Sequence, residues 1–279
     1  MQCRYINLDH ATERRAAIEA SFNKTARPGW TLSRFEALDT KFVDRHSIAG
    51  IRSSAEKACY FSHKTLIEAH AGCADYLLVL EDDVEFGMAT SEVVDGFLRH
   101  NPDGEWDLLF LDICVVGIED MLALYFNRQG LMDKRQVVPL DLAKLPFFAT
   151  NAYIVNPKSV DKLSACLEAG VPVDVEYDIY LARQIHQGKL NGAVLFPFVT
   201  TLSAHATQSQ IQPTCVEKMN HARTLFRNLM WLESEPHGMA ASLAELEAAV
   251  AAAGHKSFFS ILSALIVHLD SLRASADMA

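Results

Sequence analysis

Residues 76–84 read Tyr76-Leu-Leu-Val-Leu-Glu81-Asp82-Asp83-Val84, an apolar run that ends in three consecutive acids. A short, uninterrupted apolar run is typical of a strand buried on both faces, as in a parallel sheet. Successive side chains of a strand point to opposite faces, so we expect Glu81 and Asp83 on one side and Asp82 on the other. The stretch therefore predicts a buried strand that delivers carboxylates to one edge of a sheet.

Two further apolar runs are followed by an acid in the same way, residues 3–8 by Asp9 and residues 108–111 by Asp112. Helical segments lie between the runs, and this alternating order predicts an α/β fold. If the three strands are parallel neighbours, their acids meet at the edge where such sheets bind ligands. A cluster of carboxylates at one edge needs a cation to be stable.

The other elements are predicted from hydrophobic periodicity and turn residues. A helix over 54–71 begins with a capping box formed by Ser53 and Glu56. The other predicted helices are residues 11–22, 157–167 and 175–187, and the other predicted strands are residues 147–155 and 193–199. A polar loop over 200–214 then ends the α/β portion of the chain.

The composition excludes several classes of protein. The chain has 279 residues, of which 50% are hydrophobic, so it can bury a full core in roughly one or two domains. Its net charge of −10 repels phosphate backbones, and we therefore expect no nucleic-acid partner. The six cysteines lie far apart, which predicts reduced thiols and, without a signal-peptide pattern or a membrane-spanning apolar stretch, a cytoplasmic protein.

The composition changes after the polar loop. Residues from about 216 onward are rich in Ala, Leu and Met, and we predict a helical subdomain over 216–279 beside a first domain over 1–212. Its last segment carries an apolar stripe of Phe258, Ile261, Leu262, Leu265, Leu269 and Leu272. The catalytic domain, a second copy of the chain in a homodimer or a membrane surface would cover this stripe. Acidic residues outnumber basic ones here, which disfavours the membrane, although Arg223, Arg227 and Trp231 share a helix face that could touch lipid headgroups.

The acid triplet has the chemistry of a site for a hard divalent cation. Carboxylate oxygens suit Mg²⁺ or Mn²⁺, which bind through one or two carboxylates together with a substrate diphosphate. Glu81 and Asp83 are the predicted metal ligands. In nucleotide-sugar transfer the metal neutralises the leaving diphosphate, and a separate carboxylate deprotonates the acceptor hydroxyl.

A series of motifs resembles, in chain order, the motifs of glycosyltransferase family 25, which contains bacterial lipopolysaccharide and lipooligosaccharide transferases and collagen galactosyltransferases. The motifs are Asn7-Leu8 with Arg14-Arg15, Phe35-Glu-Ala-Leu-Asp39, Glu56-Lys-Ala-Cys-Tyr-Phe-Ser62-His63 and Leu80-Glu-Asp-Asp-Val84, with weaker matches at Thr150-Asn-Ala-Tyr153-Ile, Pro172-Val-Asp174, Pro197 and Ser209-Gln-Ile211. The resemblance spans roughly residues 1–212. Asn151 departs from the pattern, because the family usually has a small residue there.

The resemblance implies a fold and a reaction. The fold is a GT-A type nucleotide-sugar-binding α/β domain with a Rossmann-like central sheet, followed here by a C-terminal helical appendage. The reaction is a metal-dependent, inverting transfer of galactose or glucose from a UDP-sugar to a glycan or lipid-linked glycan acceptor. We therefore expect Mn²⁺ or Mg²⁺ as cofactor and a cytoplasmic enzyme of lipopolysaccharide or lipooligosaccharide biosynthesis. Peripheral contact with the inner membrane is the less favoured alternative.

The resemblance also implies roles for individual side chains. The donor-binding residues are Asn7, Asp9, Arg14, Arg15, Glu56, Ser62, His63 and Asp82. His205 would complete the metal shell, and Asp174 is the first candidate for the base, ahead of Asp178, Glu176 and finally Asp112. Structural roles compete with these functions: arginines of a helix face solvent, Glu56, Ser62 and His63 pack within their helix, His205 is a plain loop residue, and Asp174 caps the helix that follows.

Two other functions compete with glycosyl transfer. A haloacid-dehalogenase-type phosphohydrolase needs a nucleophilic Asp at the end of the strand, where this chain has Glu81. A catalytically inactive glycan-binding or nucleotide-binding module would have lost a metal carboxylate, and none is lost. The chain has no Gly-rich dinucleotide or Walker loop, so it gives no support to a dehydrogenase or a P-loop kinase.

Overall fold

The computed structural model describes residues 1–25, 27–102, 104–207 and 217–234 of the chain. Its strands are β1 Gln2–Asn7, β2 Thr31–Glu36, β3 Leu77–Glu81, β4 Val84–Phe86, β5 Leu108–Phe110, β6 Cys114–Val115, β7 Val138–Asp141, β8 Phe147–Phe148, β9 Ala152–Val155, β10 Gly192–Phe196 and β11 Thr200–Leu202. Its α-helices are α1 Thr12–Thr25, α2 Thr40–His46, α3 Ser54–Glu68, α4 Thr90–His100, α5 Ile118–Lys134, α6 Val160–Glu168, α7 Tyr177–His186 and α8 Glu217–Met230.

Seven strands of the described residues form one mixed sheet in the order β2-β1-β3-β9-β5-β10-β7. Strands β2, β1 and β3 are parallel neighbours, and β5 and β10 form a second parallel pair. Strand β9 lies antiparallel between β3 and β5, and β7 is antiparallel at the edge. The α/β class predicted from the alternating elements is confirmed.

The expected convergence of the acid-ending strands needs one correction. Strands β1, β3 and β5 run in one direction, so their carboxyl ends lie at one edge of the sheet. However, β5 is not a neighbour of β3, because β9 is inserted between them. A side chain at the start of β9 therefore stands between the acids of β3 and β5, and residues 149–151, which precede it, become part of the edge.

The single strand predicted over 147–155 is wrong. Residues 147–148 form β8, which pairs with β6, whereas β9 begins at Ala152 in the main sheet. The break falls at Ala149, whose φ of 74° lies in the left-handed region and ends an extended run. The two halves of one apolar run thus serve two different sheets.

The polar loop predicted after the last strand also contains structure. Strand β11 pairs antiparallel with β4, which directly follows the acid triplet. Ser203 donates a backbone hydrogen bond to the carbonyl of Asp83 at 2.8 Å, so the chain returns to the acid-bearing edge. The remainder of the predicted loop, from residue 208, lies outside the described residues.

Two apolar layers hold the sheet. Alternate residues of β3 face opposite sides, with Leu77 and Val79 in one buried cluster and Leu78 and Leu80 in the other. Helices α3, α5, α6, α7 and α8 contribute to the first cluster, and α1 and α4 contribute to the second. The acids that follow β3 are thereby carried on a strand that is buried on both faces.

The one described helix of the predicted C-terminal subdomain packs into the main core. Leu225, Phe226, Leu229 and Met230 of α8 are buried in the same cluster as the sheet. Backbone hydrogen bonds from Phe198 to Met230 and from Leu232 to Phe198 tie the end of α8 to the segment after β10. The rest of the predicted subdomain, with its apolar stripe, lies outside the described residues, among which no helix is long and apolar enough to cross a membrane.

No disulfide joins the cysteines in the part of the chain that the structure describes. The free cysteines are Cys3, Cys59, Cys73, Cys114 and Cys166, and Cys215 lies outside the described residues.

The predicted lipid contact of Arg227 is wrong, because this side chain is only 5% exposed and is bound inside the protein.

Candidate active site

Three carboxylates emerge together at the carboxyl end of β3. Glu81 is the last residue of the strand, and Asp82 and Asp83 form the turn into β4. Ile6 of the parallel neighbour β1 lies opposite Glu81, so Asn7 follows beside the turn. Asn7 accordingly donates from its Nδ2 to Asp82 Oδ2 at 2.7 Å.

Arg14 neutralises part of this cluster. Its Nη2 lies 2.7 Å from Asp82 Oδ1 and 3.0 Å from Asp83 Oδ2, so one guanidinium bridges two carboxylates. The residue lies in the first half of α1, the helix that follows β1, which explains why it reaches the same edge. The structure thus places Arg14 in the site, against its acids.

Asn7 is the centre of a buried polar network. Its Oδ1 accepts from Arg15 Nε at 3.2 Å and from Arg34 Nε at 3.1 Å. Both arginines also approach Asp9 Oδ1, at 3.4 and 3.3 Å, although the Asp9 side chain is 80% exposed. Arg34, on β2, is not among the predicted site residues. The apolar residues of this strand, Leu32 and Phe35, are three apart and do not show the alternation that predicts a strand.

A second network approaches the carboxylates from β9. Asn151 donates from Nδ2 to Asp83 Oδ1 at 3.1 Å and to Glu81 Oε2 at 3.4 Å. Its Oδ1 accepts from Arg227 Nη2 at 3.1 Å, and Arg227 Nη2 lies 2.6 Å from Asp112 Oδ2. Asp112 has no exposed surface, so this former candidate for the base is a buried partner of Arg227.

The acidic segment before α7 divides its side chains between two places. Asp178 accepts from the backbone nitrogens of Ala149 at 3.0 Å and Ile179 at 2.8 Å, close enough to the acid triplet for its charge to raise the pKa of Glu81. Asp174 is exposed and accepts from the backbone nitrogen of Ile51 at 2.9 Å. Glu176 is bound to Arg52.

One expectation about this segment is wrong. Helix α7 begins at Tyr177 and its N-cap is Glu176, so Asp174 lies before the helix and does not cap it. The loop conformation directs Asp174 toward residue 51, and the first turn of α7 directs Asp178 toward the sheet edge.

Helix α3 contributes structural contacts through the residues expected to line the site. Glu56 closes the predicted capping box with Ser53. Ser62 donates to the carbonyl of Ala58 at 2.8 Å and accepts from the backbone nitrogen of Leu38 at 2.9 Å, which fastens the segment after β2.

His63 lies next to Glu81, the first acid of the triplet. Its ring stacks on Tyr177 with centroids 4.1 Å apart, its Nδ1 lies 2.9 Å from the Tyr153 hydroxyl, and its Nε2 lies 3.9 Å from Glu81 Oε1. Burial lowers the pKa of His63 to about 3, so the ring is neutral at pH 7. His63 therefore supplies packing and a hydrogen-bonding ring, but no positive charge.

The site carries more negative than positive charge. The carboxylates are Glu81, Asp82, Asp83, Asp112 and Asp178, and the guanidinium groups that pair with them are Arg14 and Arg227. Burial, together with the charges of Asp83, Asp82 and Asp178 and against the opposing effect of Arg14, raises the pKa of Glu81 to about 8. Burial likewise raises the pKa of Asp82, Asp112 and Asp178. Such an excess favours the binding of an additional cation.

The donor atoms fit a hard divalent cation. All the unneutralised groups are carboxylates, the ligand type that Mg²⁺ and Mn²⁺ prefer. In the described part of the chain, however, no group of three His, Cys, Asp or Glu side chains is already arranged around one point. His205 lies in the short 3-10 turn Ala204–Thr207, which follows the Ser203–Asp83 hydrogen bond and is thereby held near the acids.

Comparison with known proteins identifies the class. The sequence model of glycosyltransferase family 25 (LPS biosynthesis protein) matches residues 1–178, and this places the protein among the glycosyltransferases. The chain belongs to glycosyltransferase family 25. The resemblance in its motifs is thereby confirmed, and the haloacid-dehalogenase alternative is set aside.

The solved structures similar to this chain include two glycosyltransferases. One is the galactosyltransferase LgtC in complex with donor and acceptor sugar analogues, with 14% identity, a TM-score of 0.34, and coverage of 70% of this chain and 72% of that chain. The other is mouse xyloside xylosyltransferase 1 in its apo form, with 9% identity, a TM-score of 0.32, and coverage of 68% and 63%. No curated protein sequence matches the chain.

Proposed function

We propose that this protein transfers galactose or glucose from a UDP-sugar to a glycan or lipid-linked glycan acceptor in lipopolysaccharide or lipooligosaccharide biosynthesis. The observation that carries the proposal is the carboxylate cluster Glu81-Asp82-Asp83 at the carboxyl end of β3, in a chain of family 25. The sheet edge beyond the carboxyl ends of parallel strands is where α/β proteins bind nucleotides.

Glu81 and Asp83 are the proposed ligands of Mn²⁺ or Mg²⁺, with His205 as a third. The excess of carboxylates over guanidinium groups around them supports this assignment. When bound, the ion would neutralise the charge of the leaving diphosphate. Arg14, already at this edge, supplies a fixed positive charge beside it.

The nucleotide is proposed to lie over the end of β1. Asp9 is largely exposed there and is flanked by Arg15 and Arg34, so a ribose hydroxyl and a phosphate would each find a partner. Asn7 holds the two arginines and Asp82 in fixed positions. Of the α3 residues, His63 lies against Glu81, whereas Glu56 caps the helix and Ser62 fastens the segment after β2.

The acceptor-side base is proposed to come from Asp174 or Asp178. The base accepts the proton of the acceptor hydroxyl while the oxygen forms a bond to the anomeric carbon, and the bond to the diphosphate breaks on the opposite face, inverting the centre. Asp178 lies close to the acid triplet, and burial raises its pKa, which makes it a stronger base than an ordinary aspartate. The Glu176 carboxylate is already paired with Arg52 and is therefore not the proposed base.

The experiment that tests the proposal is a donor screen. UDP-galactose, UDP-glucose and other nucleotide sugars are incubated with the full chain, with Mn²⁺ or with a chelator, and release of UDP is measured with and without lipooligosaccharide acceptor. We expect release from a UDP-hexose that the chelator abolishes and the acceptor accelerates. Release that is equal with and without metal would contradict the metal assignment, and a preference for another nucleotide would contradict the donor.

If the acceptor is lipid-linked, the enzyme works at the cytoplasmic face of the inner membrane. Flotation of the full chain with liposomes of anionic lipid, with and without acceptor lipid, tests this part of the proposal. Binding that requires the acceptor lipid would support recognition of the acceptor, whereas binding to lipid alone would support peripheral attachment. A chain that stays unbound in both mixtures contradicts the membrane location.

A further inference from the structure

A guanidinium from outside the family-matched residues reaches the centre of the site. The family match ends at residue 178, whereas Arg227 lies on α8, near the end of the described chain. Its neighbours Phe226 and Met230 are buried in the main core, so the helix is held firmly against the sheet. Arg227 itself is 5% exposed and contacts Asp112 and Asn151.

The two partners of Arg227 lie next to different strands, Asp112 after β5 and Asn151 before β9. Asp112 follows β5 and is completely buried, with Oδ2 at 2.6 Å from Arg227 Nη2. A carboxylate buried to this degree requires a paired cation, because an isolated charge is expensive to bury. The pair therefore fixes the guanidinium at the point where Asn151 meets it.

Arg227 determines which way the amide of Asn151 faces. An amide has one oxygen that accepts and one nitrogen that donates. With Oδ1 on Arg227, Nδ2 points to Glu81 and Asp83. The reverse orientation would turn the amide oxygen toward two carboxylates and the amide hydrogens toward a guanidinium, and both contacts would be repulsive.

We infer that Arg227 is a positioning residue of the active site, which acts through Asn151 on the carboxylates Glu81 and Asp83. Helix α8 is then a component of the site, although it lies beyond the residues that define the family. Asp112 serves as the anchor of Arg227. The effect on ligand binding rests on the proposed function, but the orientation of Asn151 does not.

The first test removes the pair without leaving a buried charge. The double variant Asp112→Leu/Arg227→Met replaces the ion pair by apolar side chains of similar size, a change that buried pairs often tolerate. Arg128→Met is the matched control, because Arg128 is also buried, at 7% exposed, and donates to the carbonyl of Trp231 directly after α8. Thermal unfolding identifies the variants that retain the fold.

The ligand-free measurement follows the side-chain amide of Asn151 by NMR, with the signal assigned by its loss in Asn151→Ala. In the wild-type protein and in Arg128→Met we expect two well-separated amide proton signals that exchange slowly with water. In the double variant we expect the two signals to move together and to exchange faster. An unchanged Asn151 signal in a folded double variant would overturn the inference, whatever the protein binds.

Calorimetry with UDP and Mn²⁺ completes the test. We expect the double variant to bind about tenfold more weakly, within the range seen when residues behind metal ligands are changed. The triple variant, which adds Asn151→Ala, should bind no more weakly than Asn151→Ala alone, because the residues act in series. Additive losses would contradict action through Asn151. If wild-type protein binds no UDP, the proposed function fails, and the NMR result alone decides the inference.

Discussion

Asn7 is a single amide that joins three elements of the site. It is 1% exposed, it binds Asp82 after β3, and it accepts from Arg15 of α1 and Arg34 of β2. Each of these partners carries a charge, and hydrogen bonds to charged groups are stronger than those between neutral groups. The positions of these two arginines therefore depend on one uncharged side chain.

Replacing Asn7 by alanine should reduce both stability and donor affinity. Buried charged partners left without a hydrogen bond cost on the order of 2 kcal/mol of unfolding free energy. Urea denaturation measures the loss, and calorimetry with UDP measures the affinity. Asn101→Ala is the control, since Asn101 is exposed and its side-chain amide donates to the carbonyl of Phe97 in the helix that it follows. Equal losses in the two variants would show that the Asn7 network has no special importance.

Asp83 and Glu85 provide a matched pair for the metal assignment. Asp83 is buried at the sheet edge, whereas Glu85, two residues on, is exposed on β4. We expect Asp83→Ala to abolish the increase in UDP affinity that Mn²⁺ produces, because the cation loses a carboxylate ligand. Glu85→Ala should leave it intact. Calorimetry with UDP, with Mn²⁺ and with a chelator, checks both, and metal-enhanced binding by Asp83→Ala would refute the assignment.

The two candidate bases are separated by their amide variants. Asp178→Asn should lower kcat by a factor on the order of 10², the usual scale of general-base catalysis, and should leave UDP affinity unchanged. Asp174→Asn should have the smaller effect, because Asp174 is exposed and held by the loop at residue 51. Steady-state transfer rates measure both. A larger loss of kcat in Asp174→Asn than in Asp178→Asn would identify Asp174 as the base.

At the level of elements, the loop before α3 and the loop before α7 form one unit. Val173 donates to the carbonyl of Ala49 at 3.0 Å, and Arg52 donates to the carbonyl of Val173 at 3.3 Å. Gly50 lies between these bonds with a φ of 127°, a conformation that only glycine adopts easily. This pairing brings Asp174 to the loop before α3, where it accepts from the backbone nitrogen of Ile51.

Gly50→Ala should therefore destabilise the protein and displace Asp174. A Cβ at this position would lie 2.2 Å from the carbonyl oxygen of Val173, and the backbone conformation adds strain of about 1–3 kcal/mol. Gly96→Ala is the control, because Gly96 lies inside α4 with open space around it and should gain about 0.5–1 kcal/mol. Chemical denaturation measures the free energy of unfolding, which should fall in Gly50→Ala and rise in Gly96→Ala. A Gly50→Ala variant as stable as the wild type would contradict the close contact.

At the scale of the whole molecule, α8 and the sheet share one core. Leu225, Phe226, Leu229 and Met230 are buried with the residues of the first apolar layer. Full burial of each such side chain contributes about 1.5–3 kcal/mol before the entropy cost of ordering the helix is subtracted. Removal of α8 would therefore expose part of the first apolar layer to water.

Two truncations test the contribution of α8. A chain that ends after residue 212 loses the helix, and we expect it to aggregate or to melt far below a chain that ends after Ser234. Circular dichroism and light scattering make the comparison, with the full chain as reference. Equal melting temperatures for the two truncations would show that the α/β portion is independent of α8.

The sequence by itself determined the α/β class and the carboxylate edge. An apolar run followed by acids is local information, because burial of a strand and the exit of its chain depend on adjacent residues. The capping box of Ser53 and Glu56 was predictable for the same reason, since its bonds join residues three apart.

The tertiary structure alone decided how the edge is completed. Strand β9 enters between β3 and β5, and Asn151 thereby meets Arg227, 76 residues away, while Arg227 meets Asp112, 115 residues away. No local pattern marks such pairs, because a buried arginine on an amphipathic helix has the same sequence surroundings as a solvated one. Strand order and helix docking, which are set by the burial of the whole core, bring these charges together.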